Sequence, residues 1–188
     1  LPFAFAATLV AQQDAPTTVP ATQPAAPQEE TIVDAESVLA RFAGTWTIEA
    51  EWSNGEPLRA TNTYVPTLNG SAMRASTVLD LPDGRKYQRY EAFMKPNDDG
   101  TISAFVLTFN GQFEQSAMQV KSADIVTNGF DDPVAPVRET ITFLDDNRYR
   151  WQVEVRQPTT KPAGDGEPEM TYVQMMDGVW TRQSAGGE

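Results

Sequence analysis

Residues 42–52 read FAGTWTIEAEW. From Trp46 onward apolar and polar residues alternate, with Trp46, Ile48, Ala50 and Trp52 on one side and Thr47, Glu49 and Glu51 on the other. Period two is the spacing of a strand that buries one face. Just upstream, VDAESVLARFAG offers Asp34 as an N-cap, Val38, Leu39 and Phe42 at helical spacing, and Gly44 as a stop. A short helix therefore runs into a strand whose first inward residue is a tryptophan. Trp46 is expected to plug one end of a small antiparallel barrel.

The rest of the chain supplies the barrel. Asn-Gly or Asp-Gly recurs at Asn54-Gly55, Asn69-Gly70, Asp83-Gly84, Asp99-Gly100, Asn110-Gly111, Asn128-Gly129, Asp165-Gly166 and Asp177-Gly178, and Asp145-Asp146-Asn147 fills the widest gap. These pairs tolerate the positive backbone angles of tight hairpins, so each is read as a reversal. Between them lie TWTIEAEWS, LRATNTYV, SAMRASTVLDL, RKYQRYEAFM, ISAFVLTF, QFEQSAMQV, VRETITFL, RYRWQVEVR, EMTYVQMM and VWTRQ. The expected fold is all-β: an up-and-down antiparallel β-barrel of about ten strands with a short N-terminal helix. Closure is expected because twist accumulates along such a meander and open edges invite aggregation.

Strand faces follow from the same alternation. In RYRWQVEVR, Tyr149, Trp151, Val153 and Val155 point inward; in VRETITFL the inward set is Val137, Glu139, Ile141 and Phe143, which leaves Glu139 a carboxylate among apolar neighbours. In RKYQRYEAFM neither face is clean, because Tyr87 and Phe93 share a side with Arg89 and Glu91 while Tyr90 and Met94 share the other with Gln88.

Composition bounds the function. The chain has 188 residues, 40% of them hydrophobic and 10% aromatic, enough for one core and therefore one domain, at residues 32–184. A formal net charge of −12 repels phosphate backbones, so no nucleic-acid partner is expected. Without Cys or His there is no thiolate or His-based catalysis and no Cys/His zinc site. No catalytic residue, cofactor or metal is assigned, and the acidic turns NDDG and FDDP lack the spaced ligands of a calcium loop. LPFAFAATLVA is read as the remnant of a signal peptide over residues 1–13, and the Pro/Ala/Thr-rich residues 14–31 as a disordered spacer. The apolar run falls short of the roughly 20 residues that span a bilayer, so no transmembrane segment is assigned and the expected location is periplasmic or extracellular.

The aromatic residues Trp52, Tyr64, Tyr90, Phe105, Tyr149, Trp151 and Tyr172 either line a ligand cavity or fill the core. Arg74, Arg89, Glu91, Glu139 and Gln174 are polar residues in otherwise apolar strands, placed outward or in internal pairs, and Glu139 is also counted among the candidate ligand-binding residues. Trp46 and Arg182 form a separate, structural pair. The last strand of a closed barrel lies beside the first, and an arginine there can cover the tryptophan ring while donating to carbonyls at the end of the helix.

The helix turn, Gly44-x-Trp46 on the first strand, the hairpin meander and Arg182 on the last strand resemble the lipocalin-like, or calycin, barrels. Residues 33–183, including TLNGSAMRA, LPDGRKYQRYEAFM and GVWTRQ, are most similar to an uncharacterised family of bacterial exported lipocalin-like domains. The resemblance implies a barrel that holds a small hydrophobic molecule, and the same pairing of Trp46 with Arg182. Nitrobindin-like relatives hold haem through a histidine, which this chain does not have. Two functional classes stay open: an exported small-molecule-binding barrel, and a filled barrel acting as an interaction or envelope-associated module. A barrel enzyme using carboxylates or tyrosines ranks last.

Overall fold

The structure is a computed structural model that describes residues 33–159 and 169–184. The readings of residues 1–32 and of the Asp165-Gly166 turn fall outside the described residues. Helix α1 (Ala35–Ala40) is capped by Asp34, whose carboxylate accepts from the backbone N–H groups of Glu36 at 3.0 Å and Ser37 at 3.2 Å. These bonds satisfy orphan donors of the first turn.

Ten strands follow among the described residues: β1 (Gly44–Glu51), β2 (Pro57–Thr67), β3 (Ala72–Asp80), β4 (Lys86–Pro96), β5 (Thr101–Thr108), β6 (Phe113–Ser122), β7 (Ile125–Asn128), β8 (Val137–Asp145), β9 (Arg148–Pro158) and β10 (Met170–Arg182). Each pairs antiparallel with the next, and β10 returns to β1 to close the barrel. The architecture is the expected one.

Two elements differ from the sequence reading. Asp177-Gly178 is no reversal, because β10 runs straight through it. Glycine is needed there for room: a Cβ at Gly178 would lie 2.7 Å from Ile48 Cδ1 and 3.1 Å from Ala50 Cβ, so only glycine lets β10 pack this closely on β1. Conversely, KSADIVTN hides a turn and the four-residue strand β7, which is too short to show alternation.

The end that carries α1 is filled. Trp46 is fully buried, Val38, Leu39 and Phe42 are nearly so, and Phe42 packs on Phe143 at 4.8 Å, Tyr64 at 5.3 Å and Tyr149 at 5.7 Å between ring centroids. Trp46 lies 4.8 Å from Tyr149 and donates its indole N–H to the Phe42 carbonyl at 2.6 Å. Arg182, the ladder partner of Trp46, sets its guanidinium carbon 4.3 Å over the indole. It donates to the carbonyls of Arg41 at 2.7 Å, of Asp146 at 2.9 Å, and of Ala43. Gly44, at φ +121°, passes so close that a Cβ would sit 3.1 Å from Arg182 Nη1. The Gly-x-Trp step is thus a backbone dip that admits the arginine.

Candidate ligand cavity

Above this plug the barrel is hollow, with a cavity of about 470 Å³. Residue size makes the space. Ala75 faces Ala92 across β3 and β4, and Ala104 faces Ser116 across β5 and β6, all on the inner side. The opposite wall is Ile141, Tyr149, Trp151 and Trp180. Small residues on one side of a closed ring leave a void that larger side chains would fill.

The cavity joins the plug at a polar floor. Asn62, 3% exposed, donates to the Tyr64 hydroxyl at 2.9 Å and accepts from Thr77 Oγ1. Burial pushes the Tyr64 hydroxyl well above the ordinary tyrosine range, and the nearby Tyr149, Tyr90 and Glu139 add to it. Tyr90 is also raised by burial, partly offset by hydrogen bonding with Thr77 and Asn62, and Tyr149 is raised by burial against its bond to Tyr64. All three hydroxyls stay neutral and act as donors and acceptors at neutral pH.

Higher in the cavity stands Glu139. Its carboxylate accepts from Trp151 Nε1 and from Asn128 Nδ2, each at 3.3 Å. Glu114, opposite Val106, and Arg89 also line the cavity. Arg89 lies 5.2 Å over the Phe109 ring, and neither it nor Glu139 nor Glu114 forms an ion pair among the described residues.

Of the residues singled out from sequence, Tyr64, Tyr90, Glu139, Tyr149 and Trp151 line this cavity. Three do not. Phe105 points outward, stacked 6.1 Å from Phe113 and paired with Phe93, because its strand turns the small Ala104 inward and the large ring out. Tyr172 is also outside: a bulge between Gln174 and Met176 reverses the phase of β10, so Tyr172 pairs with Arg156, donates to the Ala135 carbonyl at 2.8 Å and stacks 3.6 Å from the Arg138 guanidinium. Trp52 lies past the end of β1, half-buried, with its ring edge-on to Trp151 at 6.2 Å. Arg74 pairs with Glu91 at 3.8 Å across β3 and β4, and Gln174 donates to Asp177 at 3.4 Å, both on the outer surface.

Strand β4 resolves through its own bulge. Thr77 faces Tyr90 while the adjacent Val78 faces Gln88, so Arg89 is the extra residue and Tyr87 and Tyr90 fall on the same side. Asn62, Trp180 and the small inward residues were passed over in the sequence. Asn62 shares parity with Tyr64 on β2, the signal that marked Glu139, and the alanines carry their signal only once the inward phase is known.

No protein-family model matches the chain, and no curated protein sequence matches it. Among solved structures it is similar to a redesigned β-barrel, with 11% identity, a TM-score of 0.44 and coverage of 79% of this chain and 96% of that one. It is also similar to the redesigned barrel mFAP1 bound to DFHBI, with 13% identity, a TM-score of 0.41 and coverage of 78% and 99%. EF1p2_mFAP2b bound to DFHBI matches at 13% identity, a TM-score of 0.42 and coverage of 79% and 99%. Likenesses this distant say nothing about what the present chain binds. Among the described residues no helix is long and apolar enough to cross a membrane.

Proposed function

We propose that the protein is a small-molecule-binding barrel of the lipocalin-like class, working outside the cytoplasm. The carrying observation is the cavity of about 470 Å³, walled on one side by Trp151, Tyr149 and Ile141 and lined elsewhere by polar and charged groups. Small-molecule sites occupy roughly 300–1,000 Å³ and combine apolar and aromatic walls with placed polar atoms; this cavity has the size and the aromatic wall, and its lining is richer in polar groups, with Asn62, Arg89, Glu114, Asn128 and Glu139 among them. The lipocalin-like assignment draws on Gly44, Trp46 and Arg182. The extracytoplasmic one draws on the signal-like and Pro-rich residues 1–31 alone.

The test is a titration of tryptophan emission with environment-sensitive lipophilic dyes. Saturable quenching is expected, and Trp151→Ala should weaken it. No saturable binding across fatty-acid-like and polycyclic dyes would overturn the proposal. That result would favour an interaction module, a second reading supported by the outer face of β4–β6, where Phe93 is 48% and Phe113 66% exposed beside Phe105 and Leu107.

A further inference from the structure

We infer that the ligand is an amphipathic cation: a flat apolar or aromatic body carrying a protonated amine, seated with its nitrogen toward Glu139. The inference rests on the small-molecule-binding reading and narrows it to one chemical class.

Glu139 occupies an inward position of β8, between Val137 and Ile141 in the inner phase, where an apolar residue would complete the wall. Glu139 is half-buried there, so its carboxylate is partly withdrawn from water and gains from a partner. Its protein partners supply little. A carboxylate can accept at about four sites, and Glu139 receives two N–H contacts, both at 3.3 Å and so beyond the usual range of about 2.7–3.2 Å. Acceptor capacity remains on a group that lines the cavity.

The surroundings of this carboxylate suit a cation. Trp151 meets Glu139 edge-on through its indole N–H while its ring lines the cavity beside the carboxylate, and Glu139 acts electrostatically on both Tyr64 and Tyr90. Indole and phenol faces attract ammonium groups through the ring quadrupole, most strongly where water is excluded. The neutral hydroxyls of the floor add acceptors, and no lysine or arginine offsets Glu139 within ion-pairing distance among the described residues. Arg89, the cationic residue of the lining, lies 5.2 Å over the Phe109 ring and also acts on Tyr90, while Glu114 adds a second carboxylate, so acids outnumber bases in the lining by two to one. At longer range the net charge of −12 raises the local concentration of cations and repels fatty-acid-like anions.

Three probes that share one ring system separate the contributions: 1-naphthylmethylamine, 1-naphthylmethanol and 1-naphthylacetate, titrated into the full chain at pH 7 and low salt by tryptophan emission. The expected order is amine tighter than alcohol tighter than carboxylate, with at least about a tenfold gap between amine and carboxylate, which is about 1.4 kcal/mol. Glu139→Gln should remove the advantage of the amine over the alcohol while leaving the alcohol's affinity within about twofold. If Glu139 merely positions Trp151, the substitution weakens all three probes alike, and the inference falls. It also falls if the wild-type chain binds the alcohol or carboxylate as tightly as the amine, a comparison that needs no variant to fold. If none of the three binds saturably while the lipophilic dyes do, the inference falls alone; if the dyes fail as well, the small-molecule-binding reading falls with it.

Discussion

The two ends of the barrel are built on the same alternating strands and reach opposite results. At the helix end the inward Trp46, Phe143 and Tyr149 pack ring against ring with Phe42, which follows α1. Toward the other end Ala75, Ala92 and Ala104 take the equivalent inner positions, and a cavity of about 470 Å³ opens between them and Trp151. Backbone topology does not distinguish plug from cavity; side-chain volume in the inward phase does. One end therefore carries the stability and the other is free to be hollow.

The largest effect should come from emptying the plug. Trp46→Ala removes a fully buried ring together with its bond to the Phe42 carbonyl, and a loss of about 3–5 kcal/mol is expected in urea unfolding. Trp151→Ala, at a wall that already borders empty space, should cost less by at least about 1 kcal/mol. Equal losses would erase the contrast between the ends.

Next in size is an alkaline transition set at the junction of the two regions. Tyr64, Tyr90 and Tyr149 are raised by burial, so the fold favours their neutral forms. Unfolded tyrosines ionise near pH 10. The contribution of these three is therefore complete below about pH 10 and is lost as pH climbs from there toward the folded values, at about 1.4 kcal/mol per pH unit for each tyrosine. Urea midpoints measured from pH 8 to 11 should fall beyond pH 10, and Tyr90→Phe should make that fall shallower. A flat profile would mean a junction open to water.

Smaller again is the coupling between Trp46 and Arg182. A double-mutant cycle on their alanine variants should give about 0.5–2 kcal/mol, the range for a cation–π contact. Strict additivity would show that the plug does not need its arginine. The smallest expected change in stability is from Ala92→Leu, which adds methylenes into existing space: within about 1 kcal/mol of wild type by urea unfolding, where overpacking a filled core costs about 1–3. The same variant should lower dye affinity at least about tenfold. A large destabilisation would show that the cavity end is as tightly packed as the plug.

Sequence alone carried the barrel because β1 and β9 alternate without interruption, and it placed Trp46, Tyr149, Trp151 and Glu139 on the inner face. It failed where one inserted residue shifts the phase. The bulge at Arg89 made both faces of β4 look mixed, and the bulge between Gln174 and Met176 turned Tyr172 outward. A bulge leaves no mark in composition, since the extra residue is an ordinary one. Phe105 misled for another reason. Hydrophobic size normally points inward, but a barrel that keeps a cavity inverts the rule by facing alanine in and setting phenylalanine against Phe113 outside. Gly178 resembled a turn because a need for space and a need for positive φ both select glycine.

Closure of the ring has a kinetic consequence. β1 pairs with β2 along its whole length, yet meets β10 in the ladder only at Trp46↔Arg182 and Thr47↔Thr181. Gln183 reinforces that seam by donating to Thr47 Oγ1 at 2.6 Å from 136 positions away. Contacts of such sequence separation form after the local hairpins, because the entropy of joining distant segments must be met before they return anything. The seam is thus expected to zip last during folding and to part first. Arg182→Ala should therefore speed unfolding and leave the rate of folding almost untouched, as stopped-flow urea jumps would show.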